Sequence, residues 1–87
     1  MKIYKNKIKG SFTIYPDVIK DVRGYFTRIF CSKEIKKKFK IVQSNSSFSK
    51  KKGTMRGLHY QTKPFEEAKL VHCVSGSIYD VIIDLRK

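Results

Sequence analysis

Apolar and polar residues alternate one for one in short runs along nearly the whole chain, and that period of two is what most constrains its fold. The clearest run is the last, over 77–85. In an extended backbone Tyr79, Val81, Ile83 and Leu85 fall on one face, while Asp80 and Asp84 fall on the other. Similar runs at 10–15, 25–31, 41–48, 54–61 and 68–74 complete a predicted set of short strands, with turns read at Asp21-Val22-Arg23-Gly24, Lys63-Pro64 and Ser75-Gly76. One short polar helix is predicted over 33–39. Ser32 is its expected N-cap, Glu34 lies in the first turn and lysines lie toward the end, an order that suits the helix dipole. The sum is an all-β barrel or sandwich with one helix.

At 87 residues the chain holds at most one small domain with a thin core. Its apolar fraction of 40% argues against wholesale disorder despite a net charge of +13. Much of that charge lies in Lys36-Lys37-Lys38 and Lys50-Lys51-Lys52. Both runs read as solvated segments without the interleaved aromatics of a single-strand binder, so a nucleic-acid partner is not expected. The field would instead favour a small anion such as a nucleotide-diphosphate sugar. Cys31 and Cys73 belong to no CxxC pair and read as free, buried thiols. The basic N-terminus lacks an apolar signal core, and the longest aliphatic run is too short to cross a bilayer, which points to a cytoplasmic protein without membrane attachment.

Chemistry concentrates in Met55-Arg56-Gly57-Leu58-His59-Tyr60-Gln61 and in Lys69-Leu70-Val71. His59 is the candidate base, because imidazole titrates near neutral pH and can take a proton from carbon when the carbanion is stabilised. Lys69, heading an otherwise apolar run on the same face as Val71 and Cys73, can direct an ammonium at an enolate oxygen. Arg56 offers a planar fork for phosphate or a sugar hydroxyl. Three positions separate Arg56 from His59, so a regular strand would turn them to opposite faces, and Gly57 is the place for a bulge that reunites them. His72, three from Lys69, reads as structural. Gly53 and His59 match the start of a cupin metal motif with Glu66 as its acid, but Gln61 stands where the second histidine ligand belongs; no metal and no cofactor are expected.

Arg56-Gly57-Leu58-His59-Tyr60-Gln61, Lys69-Leu70-Val71, Asp80-Val81 and Asp84-Leu85-Arg86 resemble the dTDP-4-dehydrorhamnose 3,5-epimerases. Upstream, Asp21-Val22-Arg23-Gly24-Tyr25-Phe26 and Val42-Gln43-Ser44-Asn45 are similar to two further signatures of that family, in the same order. The resemblance implies a metal-independent cupin-like jelly roll, normally a homodimer, that inverts a 4-keto sugar nucleotide at C3 and C5 through enolates. It implies His59 as catalytic base, Lys69 as the residue that steadies the enolate oxygen, Arg56 as substrate-binding, Gln43 and Asn45 as nucleotide-sugar contacts, and Arg23 with Phe26 as a nucleotide-binding segment reaching across the dimer. Arg28 departs from the family's usual glutamate, Ser44 from an aspartate and His72 from an arginine.

Family members are about twice as long, and their second half supplies a tyrosine acid and the acidic partner of the histidine. Residues 1–87 are therefore expected to be the N-terminal portion of a single cupin-like domain, an incomplete barrel, and a poor catalyst or none by itself, since losing the acid commonly costs about a hundredfold in rate. The competing reading is a non-catalytic relative that binds a sugar nucleotide or self-associates. A keto-shifting cupin isomerase is disfavoured because Tyr60-Gln61, not a second histidine, follows His59.

Overall fold

The computed structural model describes residues 1–35 and 40–87. Its regular structure is two antiparallel hairpins, β1 (Lys2–Lys5) with β2 (Phe12–Tyr15), and β3 (Val18–Asp21) with β4 (Gly24–Thr27). Among the described residues there is no helix and no closed barrel, so the class is all-β with short strands. The chain divides into two compact units, Met1–Phe39 and Lys40–Lys87.

In the first unit, β1 and β2 pair Ile3 with Ile14 and Lys5 with Phe12 on one face, and Tyr4 with Thr13 and Lys2 with Tyr15 on the other. Ile14 and Phe12 are half-buried while Thr13 and Tyr15 are exposed, as period-two alternation requires. Tyr4 and Tyr15 stand diagonally across the ladder, edge to face, with ring centroids 5.5 Å apart. The connection is tied twice. Asn6 N donates to Ser11 O at 3.0 Å, and Ser11 N donates to Ile8 O at 3.0 Å across a turn whose third residue, Gly10, has φ +90°, the left-handed value a type II turn demands there.

The second hairpin closes over Val22 and Arg23, with Asp21 opposite Gly24. Neither Val22 nor Arg23 has a positive φ, so the mirror-image turns usual in two-residue loops do not form; Gly24, at φ +140°, carries the unusual backbone instead. The Thr27 hydroxyl donates to Asp17 O at 2.7 Å and fastens the open end.

The sequence anticipated this unit only in part. The 10–15 run becomes β2, and the 25–31 run shortens to β4, which ends at Thr27. β1 and β3 were not anticipated, because Lys2-Ile3-Tyr4-Lys5 and Val18-Ile19-Lys20-Asp21 do not alternate cleanly; their strand character comes from their partners. The helix expected over 33–39 lies mainly outside the described residues. What is described is one turn in which Glu34 N and Ile35 N both donate to Cys31 O, so Cys31 and not Ser32 opens it.

In the second unit the strands expected at 41–48, 54–61, 68–74 and 77–85 are not formed. Alternation supplies the side chains of a strand, but the strand itself exists only when a neighbour pairs its backbone, and these runs do not pair with one another. Turns do persist. Thr54 N and the Thr54 hydroxyl both donate to Lys51 O, with Gly53 at φ +81°, and Phe65 N donates to Thr62 O at 2.7 Å around Lys63-Pro64. The cysteines are free but half-buried, not buried as expected.

Candidate functional site

The residues singled out by sequence fall in both units. Arg23 and Phe26 belong to the first; Gln43, Asn45, Arg56, His59 and Lys69 belong to the second.

Arg23 projects from the β3–β4 turn. Asp21 holds it three ways: its Oδ1 accepts from Arg23 N at 2.8 Å, and its Oδ2 accepts from Nε at 3.2 Å and from the guanidinium NH2 at 2.6 Å. An aspartate two residues before an arginine in a tight turn makes this clamp from local geometry alone. The guanidinium hydrogen bonds, helped by the Arg23 amide, hold the Asp21 carboxyl below the usual carboxylate range. The Arg23 side chain is still 87% exposed, so donors remain to meet an anion.

Phe26 pairs with Ile19 across the second hairpin and borders two shallow hollows. One, of about 250 Å³, is shared with Asp21, Arg23, Gly24 and Tyr25. The other, of about 220 Å³, adds Met1, Asp17, Ile19, Arg28 and Glu34. In the latter the α-ammonium of Met1 donates to Asp17 Oδ2 at 2.9 Å, and Arg28 approaches Glu34 at 3.5 Å. The hydrogen bond to Asp17 pushes the amine above its ordinary value and draws the carboxyl below its own. Met1 and Asp17 were not singled out by sequence, and Glu34 only as a first-turn residue of the expected helix. A carboxylate is uncommon in a chain with 7 acids against 20 Lys and Arg, and that scarcity was the available signal.

In the second unit Arg56 turns back on the preceding loop, where its NH2 donates to Phe48 O at 2.8 Å and its Nε to the Ser49 hydroxyl at 3.0 Å. The fork is therefore oriented by the 48–49 segment. Gly57 has φ +88°, a conformation that costs an L-residue roughly 1–2 kcal/mol. His59 lies against it: a Cβ at Gly57 would meet Nδ1 at 3.1 Å and the His59 amide nitrogen at 3.2 Å. No ladder runs through 54–61, so the bulge expected at Gly57 has no strand to interrupt, but the glycine still shapes the backbone between Arg56 and His59.

The Lys69 ammonium sits 3.4 Å from Glu67 Oε1, with both side chains about half exposed. Exposed pairs of this kind hold loosely. Gln43, Asn45 and His72 are exposed. Gly57 brings the backbone close to the His59 ring, while the Arg56 fork is held by the 48–49 segment; Arg23 and Phe26 share a hollow. Among the described residues no three His, Cys, Asp or Glu side chains group closely enough to hold a metal ion, and no helix is long and apolar enough to cross a membrane.

Comparison with known proteins bears on residues 5–87, which match the dTDP-4-dehydrorhamnose 3,5-epimerase family. A dTDP-4-dehydrorhamnose 3,5-epimerase of Shigella flexneri is 41% identical over 91 residues, covering 100% of this chain and 50% of that protein. One from Sinorhizobium fredii is 43% identical across 84% of this chain and 39% of its own length, and one from Methanothermobacter thermautotrophicus is 40% identical across 99% and 47%. The chain thus spans about half the length of the curated relatives it matches. No solved structure matches it.

Proposed function

Because the chain belongs to the dTDP-4-dehydrorhamnose 3,5-epimerase family, we propose that it supplies the N-terminal, base-bearing part of a cytoplasmic sugar-nucleotide epimerase. Its substrate is a dTDP-linked 4-keto sugar inverted at C3 and C5, and its working form is one half of a cupin-like jelly-roll domain in a homodimer. The observation that carries this reading is the family match itself, which spans Arg56, His59 and Lys69 along with the upstream segments that hold Arg23, Phe26, Gln43 and Asn45.

In this reading His59 removes the proton next to the ketone, which is acidic because the resulting charge moves onto oxygen. Lys69 receives that charge: its ammonium leaves Glu67 for the enolate oxygen and stabilises it most where the charge is fullest. Arg56, already oriented by Phe48 O and Ser49, presents its fork to the sugar or phosphate. Gln43 and Asn45 contact the nucleotide sugar. Arg23 and Phe26 offer a cation and an aromatic face to the nucleotide. Reprotonation from the opposite side needs an acid, which comes from sequence corresponding to the unmatched half of the relatives. Neither a metal nor another cofactor has a part.

The test is a chimera joining residues 1–87 to the second half of the Shigella flexneri relative, assayed by wash-in of solvent deuterium at C3 and C5 of a dTDP-4-keto sugar. His59→Ala should abolish wash-in while leaving nucleotide affinity within about tenfold. Lys69→Ala should slow it by about a hundredfold or more. Equal exchange in parent and His59→Ala overturns the assignment. Binding without exchange in the parent chimera returns the chain to a sugar-nucleotide binder.

A further inference from the structure

The β1–β2 hairpin is basic along its length and carries an aromatic pair on one face. Residues 2–16 contain Lys2, Lys5, Lys7 and Lys9 and no Asp or Glu. Asp17, the first acid after them, is engaged by the Met1 ammonium at 2.9 Å, so those two charges cancel and the lysine field stands. The register puts Lys2, Tyr4, Thr13 and Tyr15 on one face, and Ile3, Ile14 and Phe12 on the other. Tyr4 is 52% and Tyr15 58% exposed, with their ring planes 82° apart. Rings set at that angle make a corner, in which a flat ring stacked on one tyrosine turns its edge to the other. Beside them the Thr13 hydroxyl donates to Asn6 Oδ1 at 2.9 Å, which leaves the Asn6 amide NH2 as a donor.

We propose that this face binds single-stranded nucleic acid, with bases stacked on Tyr4 and Tyr15 and phosphates drawn to Lys2 and the loop lysines. Stacking rings beside a cationic track are what sequence-tolerant single-strand binding requires. The lysine runs at 36–38 and 50–52 have no interleaved aromatics, whereas here strand pairing supplies them: Tyr15 lies eleven or more positions from Lys2 and Tyr4 in sequence and meets them only across the ladder. A duplex keeps its base faces stacked inside and would leave the rings unused. An anionic membrane fits less well, because a lipid surface rewards aliphatic side chains, and those of this hairpin lie on the opposite face. The proposal is independent of the epimerase reading and uses none of its residues.

The experiment titrates a short fluorescein-labelled oligo(dT) with the 87-residue chain and follows anisotropy across a salt series. The expected result is saturable binding whose log affinity falls with log salt at a slope of about −2, as for roughly three neutralised phosphates. Tyr4→Leu or Tyr15→Leu should weaken binding by about fivefold or more, whereas Tyr4→Phe with Tyr15→Phe, which keeps both rings, should stay within about twofold. Lys2→Gln with Lys7→Gln should flatten the slope by about 1, and Lys50→Gln with Lys51→Gln should leave it unchanged. Amide resonances of residues 2–15 verify the hairpin in each variant; should a leucine variant lose it, the lysine pairs decide, and a slope that Lys2→Gln with Lys7→Gln does not move overturns the proposal. Absence of binding also overturns it, as does equal affinity for polyphosphate, which has charge but no bases. Displacement of the oligonucleotide by dTDP would place it in the hollow of Arg23 and Phe26 instead, and tighter, tyrosine-dependent binding to phosphatidylserine vesicles would make the face a membrane contact; either result overturns the assignment.

Discussion

Residues 1–39 and 40–87 carry comparable alternation of apolar and polar side chains, yet among the described residues only those of the first unit form strands. The difference is the availability of a neighbour. In the first unit short loops return the chain on itself within a few residues, so β1 meets β2 and β3 meets β4 at little cost in loop closure. In the second, turns at 51–54 and 62–65 bend the chain without bringing two alternating runs into register. Partial burial of large apolar side chains is likewise found in the first unit: Ile8, Phe12, Ile14, Phe30 and Ile35 are half-buried, whereas in the second Cys73 alone is less than exposed. A side-chain pattern is thus necessary for a sheet but does not make one.

Glycine substitutions should break the contrast most sharply. Gly24→Ala meets no atom within 4 Å but must adopt φ +140°, and it should weaken the β3–β4 hairpin by about 1 kcal/mol, read as loss of cross-strand NMR contacts between Ile19 and Phe26. Gly53→Ala is strained in the same way at φ +81°, yet it should leave every cross-strand contact of residues 2–27 unchanged. Equal effects on the first unit would mean that the two units are coupled. A comparable effect is expected from Tyr15→Ala, which removes the edge-to-face contact with Tyr4 and should cost the first hairpin about 0.5–1.5 kcal/mol in its thermal melting. No change would show that the rings meet without holding the strands.

The smallest expected effect compares one motif in two settings. Asp21-Val22-Arg23 lies inside a hairpin, and Asp84-Leu85-Arg86 lies where no ladder runs, yet both aspartates accept from the backbone and the guanidinium two residues on. Side-chain bonds from Arg86 pull the Asp84 carboxyl down to about 2, and Asp21 is likewise lowered. A lowered carboxyl keeps its contribution above the ordinary 3.8 and loses it as pH falls through the lowered value. Carbon-13 carboxyl titration should therefore place both midpoints below 3.8, and Arg86→Ala should return Asp84 toward it without moving Asp21. For Asp21 protonation should also perturb the β3–β4 amides; for Asp84 it should perturb only its neighbours. A midpoint for Asp84 at 3.8 in the parent chain would show the clamp to be open in solution.

What the sequence revealed, and what it hid, follows the same line. The Asp21–Gly24 turn and the β2 strand were legible because turn chemistry and alternation are local properties. β1 was hidden by Lys2 and Lys5, which read as a basic tail until Tyr15 and Phe12 are known to lie opposite them. The runs after residue 40 were overread for the converse reason, since alternation says nothing of whether a partner is present. For the site, the motif containing Arg56 and His59 stood out, whereas the bulge expected at Gly57 did not form, because a bulge needs a ladder to interrupt. The anchoring of Arg56 by Phe48 O was hidden, because a hydrogen bond to a main-chain carbonyl eight positions away leaves no mark on side-chain identity.

The ammonium of Met1, paired with Asp17 beside Phe26, sets the polarity of that hollow. Acetylating the amine would delete the positive charge and leave Asp17 to find another cation, so that the aromatic ring would rest on an anionic floor.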